Sequence, residues 1–92
     1  MSLEVDLRLR DVHSLKEKRS VVKPILEGAH RRFAVAVAEV GHHDSLRQAT
    51  LGMACVSGDA GHAVQVIDAV ERFVWSFPEV EVLNVERRWL EN

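Results

Sequence analysis

The sequence has no tyrosine, two tryptophans, three phenylalanines, two prolines and a single cysteine among its 92 residues. With aromatics at 5% and hydrophobic residues at 47%, the interior must be built from Val, Leu, Ile and Ala, so cohesion rests on aliphatic packing. One cysteine cannot form an intramolecular disulfide, and the position of Cys55 in Leu51-Gly52-Met53-Ala54-Cys55-Val56 predicts an inert buried thiol. There is no apolar run of membrane-spanning length, no secretory signal pattern and no polybasic tail. A cytoplasmic protein without a membrane partner is the expectation.

Also missing are a Gly-rich phosphate loop, a G-x-S-x-G elbow and a Cys-His nucleophile pair, so the sequence offers no catalytic constellation. No internal repeat or low-complexity linker divides the chain, and residues 1–92 are read as one domain with one modest core. The opening Met1-Ser2-Leu3 enters a strand pattern without a lead-in and reads as a trimmed start.

Charge is distributed unevenly. Residues 8–32 hold eight cations against three carboxylates, whereas residues 59–92 hold three cations against seven. The basic half is where a polyanion would be attracted first, although a solvated helix face produces similar segregation.

Leu3, Val5, Leu7 and Leu9 alternate with Glu4, Asp6, Arg8 and Arg10, the period-two pattern of a strand with one buried face. Ser14 and Glu17 then form a capping box: the serine oxygen is expected to accept from the Glu17 N–H, and the Glu17 carboxylate from the Ser14 N–H. On the helix that follows, Leu15, Val22, Ile25, Leu26, Ala29 and Phe33 share an arc, with Lys16, Lys23, Glu27, His30 and Arg31 outside it. Lys18 falls beside that arc, so its stem is expected to pack while its ammonium emerges at the helix start. Pro24 predicts a kink or loosening over residues 20–24.

Residues 33–40 read as a second strand covered on both faces, ending at Gly41, and residues 49–57 as a third that forms a hairpin with it. Asp59 caps a second helix over roughly residues 60–77, stopped by Pro78. Residues 80–90 read as a fourth strand whose alternation shifts between Val80/Val82 and Leu83/Val85, which predicts either a register break or a β-bulge. The order β-α-β-β-α-β gives the α+β class and a ferredoxin-like arrangement, a four-stranded antiparallel sheet with two helices on one face. The other face would carry Ala36, Ala54 and Val56, and a second copy covering it would make a homodimer.

Sheets of this arrangement often bind RNA through exposed rings on the third strand, but Leu51–Gly58 carries none of those aromatics. A nucleic-acid contact would fall instead to the basic flank: Arg8, Arg10, Lys16, Lys18, Arg19 and Lys23, close to a helix N-terminus that suits phosphate. Glu39, His42, His43 and Asp44 have the residue types of a metal or acid/base site. Adjacent His42 and His43 diverge in an extended chain, and His42 with Asp44 supplies only two ligands, so no metal is assigned. Ser57-Gly58-Asp59-Ala60-Gly61-His62 reads as a strand-to-helix turn, because Asp59 sets negative charge where a phosphate would sit.

Residues Ser14 to Ile25, Arg31-Arg32-Phe33, Val37 to Val40 with His42 and Asp44, and Ala49 to Gly52 resemble the YlxP-like family of bacterial proteins. The likeness continues through Val56 to Asp59, Val70 to Phe73 and Val85 to Leu90, and it departs at Ser45-Leu46-Arg47-Gln48, where a Trp-Gln pair follows the aspartate in the family. It implies a ferredoxin-like domain of unknown function, whose genes neighbour those of transcription elongation, translation initiation and ribosome maturation factors.

Together these readings lead us to expect a non-enzymatic accessory protein, a homodimer, that binds RNA or a ribonucleoprotein through the basic flank, with no cofactor and no sequence-specific DNA binding. The competing expectation is a small-ligand or metal-binding regulatory homodimer using Glu39, His42 and Asp44.

Overall fold

The computed structural model describes residues 1–89, in the order β1 (Ser2–Leu9), α1 (Leu15–Phe33), β2 (Ala36–Gly41), β3 (Gln48–Ala54), α2 (Ala60–Trp75) and β4 (Val80–Arg88). Leu90, the expected end of the fourth strand, lies outside the described residues. The strands form one sheet in the order β2-β3-β1-β4, antiparallel throughout, and this is the ferredoxin-like α+β architecture. No helix among the described residues is long and apolar enough to cross a membrane.

Leu3, Val5, Leu7 and Leu9 of β1 are buried against the helices, joined by Leu51 and Met53 of β3 and by Val22, Ile25, Ile67, Val70 and Val74. Burial of about 20 to 33 cal/mol per Å² of apolar area drives this packing. Cys55 is buried with them. The fourth strand has its bulge: Asp6 faces Asn84 and Leu7 faces Val82, leaving Leu83 unmatched.

Both caps are in place. The Glu17 N–H donates to Ser14 Oγ at 3.1 Å, and Asp59 Oδ1 accepts from the N–H groups of Gly61 and His62 at 2.8 and 3.2 Å. The carboxylate of Glu17 reaches back one residue further than the capping box predicts, accepting from the His13 N–H at 3.3 Å. Helix α1 runs unbroken through Pro24, whose ring is exposed. It ends at Ala34, held left-handed at φ 54° with its N–H on the His30 carbonyl.

Several expectations are corrected. Because α1 continues to Phe33, β2 begins only at Ala36, and as an edge strand it is half covered rather than enclosed on both faces. β3 stops at Ala54, so Val56 lies past the sheet and is almost fully exposed. α2 ends at Trp75, where Ser76 turns its N–H and Oγ onto the Phe73 carbonyl. Leu15, placed on the docking arc, is about half exposed because it precedes the first buried turn.

The helices meet through Phe73, whose ring packs edge-on against Phe33 at 5.7 Å and Phe77 at 5.1 Å, with the Arg32 guanidinium 4.9 Å above it. Gly28 permits this approach, since a Cβ there would lie 2.5 Å from Phe73 Cζ.

Candidate functional site

Lys18 determines how the first turns of α1 meet the β2–β3 connection. It lies four residues before Val22, seven before Ile25 and eleven before Ala29, which places it on the buried stripe of the helix. The residue is only 4% exposed. All three ammonium hydrogens have directions to go: Nζ lies 2.6 Å from the Ser45 carbonyl, 2.8 Å from the His42 carbonyl and 3.0 Å from Glu39 Oε2. Glu39 Oε2 is buried and has no hydrogen bond in good alignment, so Lys18 compensates it mainly by charge. The expected emergence of the Lys18 ammonium is therefore corrected: it points inward and pins the connection between β2 and β3. There His42 is left-handed at φ 59°, and the Ser45 N–H closes the turn onto the His42 carbonyl at 3.0 Å.

This arrangement separates the remaining residues of the basic flank into two groups. Lys16 is exposed at the helix start. Arg19 and Lys23 are exposed along a groove between α1 and β2, where Lys23 lies 3.7 Å from Glu27 one turn on. Arg8 and Arg10 instead reach the end of the sheet. With Arg47, which the sequence reading had not singled out, they line a solvent-open depression of about 650 Å³ shared with Asp11, Ser45 and Gln48. The register explains the grouping: the Leu9 N–H donates to the Arg47 carbonyl at 2.7 Å, so the start of β3 meets the end of β1. That pairing joins residues 38 positions apart and leaves no local signal.

Arg8 also lies 3.4 Å from Glu81, with both side chains about half exposed, a pair of little strength that leaves the guanidinium free to exchange partners. Ser45 links the two regions, since it lines the arginine depression while its carbonyl holds Lys18. On the opposite part of the molecule, Arg87 bridges β4 to α2 through Asp68 at 2.7 Å and Glu71 at 2.9 Å. Burial opposes the Arg87 charge, yet the two carboxylate hydrogen bonds and their fields outweigh it and hold its pKa above the ordinary arginine value. That guanidinium is a structural tie.

The Glu39, His42, Asp44 set is not gathered into one site. Glu39 turns inward to Lys18, while His42 and Asp44 are exposed in the connection. His43 is the histidine that meets the strand, its Nε2 lying 3.0 Å from the Glu39 carbonyl. Among the described residues no three His, Cys, Asp or Glu side chains are grouped as a metal would require.

The fold and this surface define a small ferredoxin-like α+β domain with an arginine-lined depression at one end of its sheet. Residues 1–87 match a family described as a protein of unknown function, DUF503, and the chain belongs to that family. It is similar to the uncharacterized protein YlxP of Bacillus subtilis strain 168, at 34% identity over 86 residues that cover 94% of each chain.

Proposed function

We propose that this protein is a non-enzymatic accessory factor that binds RNA or a ribonucleoprotein by its phosphates, with Arg8, Arg10 and Arg47 at the centre of the contact and Lys16, Arg19 and Lys23 at its margin. The observation that carries the reading is the convergence of Arg8 in β1, Arg10 just past its end and Arg47 just before β3 on one solvent-open depression. Guanidinium groups offer paired donors on a planar fork, the geometry that matches phosphate oxygens. Among the described residues Asp11 is the one carboxylate lining that depression, and the Glu81 partner of Arg8 is weakly held at the surface. Among the described residues the sheet's open face presents no aromatic side chain on which bases would stack: Glu4, Asp6 and Arg8 of β1 lie beside Glu86, Asn84 and Glu81 of β4. Recognition of backbone and shape follows, with little reading of base sequence.

Fluorescence anisotropy with a structured ribosomal RNA fragment, titrated at several salt concentrations, tests this. Affinity should fall linearly in log salt, and each phosphate-binding arginine replaced by glutamine should lower the slope by about 0.7 to 0.9. Absence of binding at low salt would sink the reading. So would a slope that R8Q, R10Q and R47Q together leave unchanged.

A further inference from the structure

The two edges of the sheet are guarded differently. β1 bonds to β3 through its odd residues: Leu9 donates to the Arg47 carbonyl at 2.7 Å, and Met1 and Cys55 exchange two bonds of 2.9 Å. Alternation along β3 then turns Gly52 and Ala54 toward β2, where they face Ala38 and Ala36. Val35, Val37 and Glu39 consequently direct their backbone groups away from the sheet. Two histidines occupy the ends of this edge, His30 Nδ1 at 2.9 Å from the Val35 carbonyl and His43 Nε2 at 3.0 Å from the Glu39 carbonyl. Between them, the N–H and carbonyl of Val37 are left without a partner among the described residues.

An open strand edge invites pairing, and proteins usually blunt it with charge, proline or a bulge. β4 carries Glu81, Glu86, Arg87 and Arg88 and bulges at Leu83. The one charged side chain of β2 is Glu39, and Lys18 neutralises it at 3.0 Å. The bulge of β2 falls after Glu39, so it leaves the stretch around Val37 straight.

We propose that β2 is a homodimerisation edge, on which β2 of a second copy pairs antiparallel about a two-fold axis at Val37 and makes one continuous sheet. Each Val37 would then donate to and accept from the other. On the helix side, a groove follows the edge, with about 490 Å³ beside Val22 and Leu26 and a further 340 Å³ or so beside Leu26 and Val37. Pairing sets Val37 of the second copy into that groove and brings the two α1 helices alongside. At the level of Val37, α1 presents Glu27 and then His30 and Arg31. Two-fold rotation about that level sets Glu27 of each copy against His30 and Arg31 of the other, so the charges on the flanking helices are self-complementary. On the other face Ala36 and Ala38 border the axis, and neither side chain is long enough to obstruct it. The contact uses the same patch twice, so it closes as a dimer.

Analytical ultracentrifugation of the full chain tests the proposal, with a reversible dimer expected. Val37→Pro removes the unpaired donor without removing a bond to β3, and Val37→Lys keeps the donor but introduces an ammonium beside the axis. Both should weaken dimerisation by about tenfold or more while the far-ultraviolet circular dichroism is retained. A wild-type chain that remains monomeric up to its solubility limit overturns the proposal and leaves the edge to an extended peptide of another protein. A dimer that neither variant weakens also overturns it, and moves the contact to the open face.

Discussion

Replacing Lys18 with Met keeps the length of the stem and removes the ammonium, which isolates the worth of the three contacts at 2.6, 2.8 and 3.0 Å. The His42 carbonyl retains the Ser45 N–H, so the Ser45 carbonyl and Glu39 Oε2 are the groups left without compensation. Removing one partner of a buried ion pair costs about 3 to 5 kcal/mol. The lower end applies because the Glu39 side chain is 25% exposed and can recover some hydration. A loss of about 3 kcal/mol in a domain of this size corresponds to a fall in Tm of about 12 to 24 °C. Urea denaturation followed by circular dichroism measures it directly, with Glu39→Leu made in the same background. The double variant K18M/E39L should regain about 1 to 2 kcal/mol over K18M, since it removes the stranded carboxylate. The K18M loss should also persist at high salt, where a surface pair would be screened. If K18M lies within about 0.5 kcal/mol of wild type, Lys18 is not a buried clamp and the reasoning fails.

Two further substitutions probe the backbone and the helix contact. Ala34 ends α1 in the left-handed region, so Ala34→Gly should stabilise by about 1 kcal/mol, read as a higher urea midpoint at an unchanged slope. Gly28→Ala gains up to about 1 kcal/mol of helix propensity but drives a methyl into the Phe73 ring, and overpacking of this kind costs about 1 to 3 kcal/mol. A net loss of stability is expected by the same denaturation assay, because Phe33, Phe77 and Arg32 restrain the ring from yielding. A gain would mean that the ring moves aside freely.

Much of the architecture is legible locally. The alternation of Leu3, Val5, Leu7 and Leu9 fixes which face of β1 is buried, and Ser14 and Asp59 mark both helix starts, because capping involves residues only two or three positions away. The break in alternation at Leu83 is enough to locate the bulge. Element ends are less readable: Ala34 stops α1 in a left-handed conformation that its side chain does not favour, which shortens β2 at its start. The spacing of Lys18 from Val22, Ile25 and Ala29 is a legible sign of burial, yet its charge argues the opposite. The carbonyls and carboxylate that resolve the conflict come from residues more than twenty positions away.

The order of elements, the apolar faces, the caps and the family are all written in short-range periodicity or in runs of matching residues, so they are readable along the chain. Which cations share a surface depends instead on how the folded strands are ordered. Strand order and register bring Arg47 beside Arg8 and Arg10, withdraw Lys18 into the interior, and leave β2 at an open edge. These outcomes depend on pairings between distant segments, which the whole buried core selects together and no single segment encodes.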